Sequence, residues 1–195
     1  MIHFYENFLA EYDPKLRKAR GVWYTPEPVV NFIVRAVDEV LKTEFGLKKG
    51  LADTSKTKVK VKVATKKTAD RRSKTQMVDY EKEVHKVQIL DPATGTGTFL
   101  AEVVKHIYQT NFKRMKGMWS DYVEKDLIPR LNGFELLMAS YAMAHLKMDM
   151  LLTETGYTSA RNQRLRIYLT NSLEEAHPDT GTLFANWLSA EASEA

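Results

Sequence analysis

Apolar positions change period along the chain, and each period predicts a different element. In "TKVKVKVATK" (57–66) Val59, Val61 and Val63 alternate with polar residues, mostly lysine. A period of two is that of a half-buried strand. "SKTQMVDYEKEVH" (73–85) is expected to return antiparallel to it, with a basic turn between them. In "VVNFIVRAVDEVLKTEF" (29–45) Val30, Ile33, Val34, Val37, Val40 and Leu41 recur at helical spacing. Thr25 suits the N-cap of that helix, Pro26 its first position and Gly46 its end. A short amphipathic helix over 2–13 offers Phe4, Phe8 and Leu9 on one face. "KVQIL" (86–90) is a short apolar run and predicts a buried parallel strand. A helix follows over 98–112, and "MWSDYVEKDLIPRL" (118–131) is a further helical piece stopped near Pro129. "NGFEL" (132–136) is a second core strand, "MASYAMAHLKMDMLL" (138–152) a helix and "LRIYLTN" (165–171) a third strand. The methionines 138, 143, 148 and 150 of that helix are expected to pack on the sheet. After Pro178, "TLFANWLSAEASEA" (182–195) reads as helical. Strand, helix, strand, helix, strand is the order of a parallel α/β sheet.

Composition narrows the setting. The chain has 195 residues, 44% of them hydrophobic, enough for one domain with a sizeable core. It has no cysteine, which excludes disulfide scaffolds and thiolate metal sites and points to a cytoplasmic protein. "MIHFYENFLAEYDPK" carries charge throughout and does not read as a signal peptide, and no apolar run predicts a membrane span. The net charge of +4 is unevenly placed: residues 56–74 hold nine Lys or Arg against one Asp. Such a hairpin either touches phosphates or carries solvated edge-strand lysines that block aggregation. The five histidines show no metal spacing, and Trp23 fits either the core or a stacking role.

The chemistry concentrates in "LDPATGTGTFL" (90–100), between a predicted strand and a predicted helix. Ligands bind at the C-terminal ends of parallel strands. Gly95 and Gly97 let the backbone turn sharply and approach a ligand closely. A phosphate loop needs a Lys that is absent here, and a dinucleotide fingerprint needs glycine where Leu100 stands. Asp91 would repel a pyrophosphate, so a ligand with an amino group fits better, such as the methionine end of S-adenosylmethionine. Glu135 closes the second strand and either accepts ribose hydroxyls or is a surface carboxylate. Asn171 closes the third and either contacts an adenine edge or makes a cap or Asx turn. Three consecutive strands ending in Asp91, Glu135 and Asn171 would line one sheet edge.

"GVWYTPEPVV", "LDPATGTGTFL", "GFELLMASYAMAHL" and "IYLTNSLEE" together resemble the cofactor motifs of N6-adenine DNA methyltransferases, in particular the methyltransferase region of Type ISP single-polypeptide restriction–modification enzymes. The resemblance implies a Rossmann-like methyltransferase core over 87–195, a basic β-hairpin insertion over 51–86 and an N-terminal helical segment with a cofactor-capping motif over 1–50. It implies S-adenosylmethionine as cofactor and double-stranded DNA as the partner of the full-length enzyme, with helicase or nuclease domains possible in the same polypeptide and no membrane. Tyr24, Thr25 and Pro26 would pack on the methionine part. Asp91, Pro92, Ala93, Thr94, Gly95, Gly97 and Phe99 would form the loop that holds the amino acid end. Glu135 would bind the ribose, Leu136 would pack on the adenine, and Asn171 stands where the family often has Asp.

The family's catalytic tetrapeptide, Asn/Asp-Pro-Pro-aromatic, supplies acceptors for the adenine amino protons. This sequence has six prolines and no adjacent pair. The expectation is a cofactor-binding part of a longer enzyme, its sheet truncated, that does not methylate DNA alone. Two other readings share the glycine turn: a methyltransferase acting on RNA, protein or a small molecule, and a non-catalytic nucleotide- or DNA-binding module.

Overall fold

A computed structural model describes residues 25–66, 75–161 and 163–173. The helices expected over 2–13 and 182–195, the basic turn, Trp23 and Tyr24 lie outside the described residues.

Helix α1 spans Glu27–Thr43. Its first N–H groups, on Val29 and Val30, bond the Pro26 carbonyl at 2.9 and 3.2 Å, so Pro26 is the N-cap. This corrects the expectation by one residue: Thr25 makes no capping bond, and Pro28, which has no N–H to lose, occupies the first turn. Strands β1 (Lys56–Lys66) and β2 (Thr75–His85) form the expected antiparallel hairpin, paired in register from Lys56↔His85 to Lys66↔Thr75. Its base is fixed by His85, whose Nε2 lies 2.9 Å from Asp126 Oδ1.

Strand β3 (Ile89–Asp91) is shorter than expected. It pairs in parallel with β4 (Leu131–Glu135), which pairs in parallel with β5 (Arg166–Leu169), giving the order β3-β4-β5. β3 is therefore an edge among the described strands, and Leu90 is 52% exposed on it rather than buried. A short apolar run shows that a strand can be buried, not how many neighbours it has.

Helix α2 (Thr98–Ile107) follows β3, and α4 (Met138–Glu154) follows β4. Between them the short α3 (Trp119–Tyr122) is flanked by wide turns over Tyr108–Phe112 and Val123–Leu127 and stopped by a tight one over Ile128–Arg130. Helix α1 packs on α2 and α2 on α4. The core between them and the sheet takes Leu100, Val104, Ala144, Leu131 and Ile167. The methionine stripe is corrected: α4 buries Ser140, Ala144, Met148, Leu151 and Leu152, whereas Met138 and Met150 are exposed. Steps of four and three residues keep one helix face, which the spacing 138–143–148–150 does not.

Trp119 anchors the far end of the core. Its ring centroid lies 5.1 Å from Tyr108 and 5.2 Å from Phe112, and its indole N–H donates to Thr155 Oγ1 at 3.0 Å. Trp119→Phe removes that bond and leaves a small void. The expected cost is about 2 kcal/mol, read as a lower urea midpoint with unchanged slope.

Candidate functional site

The glycine turn is built from both sides. Asp91 ends β3, and the chain turns at 92–97 before α2 begins. Gly95 and Gly97 sit at φ 55° and 78°, the left-handed region where a side chain is strained. Gly97 is also the N-cap of α2, and a Cβ there would press on Ala144 of α4 at 3.3 Å. At Gly95 a Cβ would meet nothing within 4 Å, so the space beside this backbone is open.

Strand β4 holds this turn with two hydrogen bonds. The Thr94 N–H donates to the Phe134 carbonyl at 2.9 Å. The Gly95 N–H donates to Glu135 Oε2 at 2.7 Å, and the Leu137 N–H to Oε1 at 2.7 Å. Glu135 is thus a buried carboxylate, not a surface one, and it ties the turn to the next strand. Each oxygen keeps a lone pair for a further donor.

Asp91 is held differently. Among the described residues its Oδ1 accepts only the Ala93 N–H, at 3.2 Å. Its Oδ2 is buried and has no hydrogen-bond partner among the described residues. Burial, more than the nearby Glu135 charge, pushes its carboxyl above the ordinary value, and the Ala93 N–H offsets part of this. A buried carboxylate oxygen without a donor costs about 1–3 kcal/mol, a cost that a ligand N–H or ammonium would remove.

The register aligns the strand ends. Asp91 pairs with Gly133 and Glu135 with Leu169, so Asp91, Glu135 and Asn171 succeed one another along the C-terminal edge of the sheet. Asn171 lies two residues beyond β5, and its Oδ1 accepts the Leu173 N–H at 3.1 Å. That is the Asx turn, one of its two open readings, and it uses the amide oxygen, not the amide N–H groups. Leu136 is 64% exposed beside Glu135, able to lie against a planar ring. Pro92 and Ala93 are exposed on the turn. Thr94 is buried, its Oγ1 donating to the Asp91 carbonyl at 3.0 Å, so its side chain serves the turn. Phe99 packs partly on the core and borders a groove of about 460 Å³ between α1, β3 and α2, which ends at Asp91. Thr25 and Pro26 stand at the start of α1.

Gly133 is a support that the motif reading missed. A Cβ there would stand 2.5 Å from Thr94 Oγ1 and 2.9 Å from Leu100 Cδ1. In a dinucleotide fold the third glycine of the fingerprint brings helix and strand together. Here the helix carries Leu100 and the strand carries the glycine, which explains how the turn closes without that third position. Glycine inside a predicted strand is the signal that could have found it.

The hairpin lysines face acids. Lys56 Nζ lies 3.9 Å from Glu83 and Lys58 Nζ 3.8 Å from Glu81, all exposed, so the charges on this face largely offset one another. His106 is engaged with Asp38 and His145 with the Ile167 carbonyl. Among the described residues no helix is long and apolar enough to cross a membrane.

No protein-family model and no curated protein matches the chain. Solved structures do. The DrdV–DNA complex, determined by cryo-electron microscopy, superposes with a TM-score of 0.55 over 88% of this chain, at 26% identity. A nuclease-deletion mutant of the Type ISP restriction–modification enzyme LlaGI, in complex with a DNA substrate mimic, gives 0.54 over 88% at 22% identity. The ATP-dependent Type ISP restriction–modification enzyme LlaBIII, bound to DNA, gives 0.53 over 88% at 23% identity. The chain spans 12%, 11% and 9% of those three chains. It thus has the α/β fold of one small part of long polypeptides that include two Type ISP restriction–modification enzymes.

Proposed function

We propose that this chain is the S-adenosylmethionine-binding part of an adenine-N6 DNA methyltransferase belonging to a restriction–modification system. The observation that carries the reading is the buried, unpartnered Asp91 Oδ2 beside an open glycine turn, on the same sheet edge as Glu135 and Asn171. That set asks for a ligand with a cationic or N–H donor at one end and hydroxyl donors further along. Asp91 would receive the amino group, Glu135 the ribose hydroxyls with its remaining lone pairs, and Leu136 the adenine face. Asn171 would reach the adenine edge with its amide N–H groups. Thr25 and Pro26, together with Tyr24, would close over the methionine part. The bound cofactor supplies an electrophilic sulfonium methyl group. The residues described here bind and orient it; they include no acceptor pair for the target amine. The likeness to enzymes solved on DNA supports duplex DNA as the partner of the longer polypeptide, in which helicase and nuclease domains would also fit.

Calorimetry with S-adenosylhomocysteine tests the reading. A one-to-one complex of micromolar dissociation constant is expected, with no heat from ATP or NAD. No heat from S-adenosylhomocysteine or S-adenosylmethionine, or equal heat from ATP, would overturn it.

A further inference from the structure

Outside the sheet edge, one buried carboxylate joins three separate elements: Asp38 of α1. It is 5% exposed. Its Oδ2 accepts Lys42 Nζ at 2.6 Å and lies 2.8 Å from His106 Nε2 of α2. Its Oδ1 accepts the Leu51 N–H at 2.7 Å from the turn Gly50–Ala52. A Cβ at Gly50 would collide with the same carboxylate. Burial raises an isolated acid, but the bonds from Lys42, His106 and Leu51 outweigh it and hold Asp38 below its ordinary value. Nothing in the proposed cofactor chemistry uses it.

Its use follows from what surrounds it on α1. The helix buries only Val30, Val34 and Asp38, one stripe of four-residue steps. Apolar side chains also lie elsewhere around it: Val29, Phe32, Val37 and Val40 are all 45 to 65% exposed. The apolar face is therefore much wider than the buried stripe, so a partial rotation would still bury apolar side chains, and one residue of slip turns the helix by about 100°. A carboxylate with three donors in fixed directions removes that freedom. The two helices also run in the same direction. Asp38, in the C-terminal half of α1, meets His106, in the last turn of α2. Their N-termini, bearing Thr25–Pro26 and the glycine turn, therefore lie at the same end.

We propose that Asp38 is a positioning residue: by joining Lys42, His106 and the Leu51 N–H on one carboxylate it sets the rotation of α1, and so the place of Thr25 and Pro26 against the glycine turn. The functional consequence rests on the cofactor reading above; the geometric one does not. Asp38→Asn keeps the size and the Oδ1 acceptor but points an amide N–H₂ at two donors. Two measurements on the full chain decide. The protein has no cysteine, so Val29→Cys and Met150→Cys can carry spin labels cleanly. Asp38→Asn is expected to broaden the measured distance distribution between α1 and α4 and shift it by several ångströms. It is also expected to weaken S-adenosylhomocysteine about tenfold while adenosine, which lacks the methionine part, changes less than twofold. An unchanged distance distribution overturns the proposal, as does equal weakening of both ligands. If the unsubstituted protein binds neither ligand, the cofactor reading falls and the distances alone judge Asp38. Should Asp38→Asn not fold, His106→Leu, which removes one donor and keeps the carboxylate, is read by the same measurements.

Discussion

Asp91→Asn is expected to weaken S-adenosylmethionine about 100-fold while making the ligand-free protein more stable. The two effects share one cause. In the wild type, Asp91 Oδ2 is buried without a donor, and burial and the Glu135 charge together raise its carboxyl above 3.8. Asparagine keeps the shape and the bond from the Ala93 N–H but carries no charge, so the cost of burying a charge disappears and only the smaller cost of an amide remains. A cationic amino group then meets an amide in place of a carboxylate, losing a charge-assisted hydrogen bond of about 3 kcal/mol, roughly 100-fold in affinity. The pH dependence separates this from a general packing effect. Because the folded protein binds this proton more tightly than the unfolded chain, the wild type loses stability as pH rises from 3.8 through the raised folded value. Below that window wild type and variant should melt together. Above it the variant should melt higher by about 1–3 °C. Over the same window the wild type should gain cofactor affinity and the variant should not. Thermal melts and calorimetry across pH 3.5 to 7, roughly the carboxylate range and above, check both halves. A variant that binds as tightly as the wild type removes Asp91 from the site.

How much of this was readable in advance differs from element to element. The hairpin was, because Val59, Val61 and Val63 alternate with polar residues without a break and so share one face of a strand. Glu135 was readable as a strand-end acid, because a parallel sheet delivers every strand's C-terminal end to the same edge. Its bond from the Gly95 N–H was not, since Gly95 lies forty residues away in sequence and nothing local reports the contact. Asp38 and His106 are a sharper case. They are 68 residues apart, on helices whose periodicity explains them as ordinary members. Only the packing of α1 on α2 gives the pair a meaning. The misread methionines and the exposed Leu90 fail for a related reason: hydrophobicity states what can be buried, while burial depends on which neighbours arrive. The motif residues were found because each motif is local in sequence, whereas the contacts that hold those motifs in place are not.

Gly133→Ala puts that distinction to a direct test, since it adds one methyl group to a residue that no ligand is proposed to touch. The new Cβ would stand 2.5 Å from Thr94 Oγ1 and 2.9 Å from Leu100 Cδ1. Neither yields easily. Thr94 is buried, its hydroxyl bonded to the Asp91 carbonyl and its N–H to the Phe134 carbonyl, and Leu100 is 1% exposed. The strand cannot retreat either, because Asp91↔Gly133 pairing and the Glu135–Gly95 bond tie both sides together. Overpacking of this kind costs about 2–3 kcal/mol. The relaxation that lessens it must move Thr94, and with it the turn between Asp91 and Gly95. Cofactor affinity should therefore fall at least tenfold in protein that is still folded. Thr94→Ala removes the atom in closest conflict. The pair Gly133→Ala and Thr94→Ala should accordingly cost at least about 1 kcal/mol less than the sum of the single changes. A strictly additive result would place the strain elsewhere. Unaltered cofactor binding in Gly133→Ala would mean that the turn is held independently of β4.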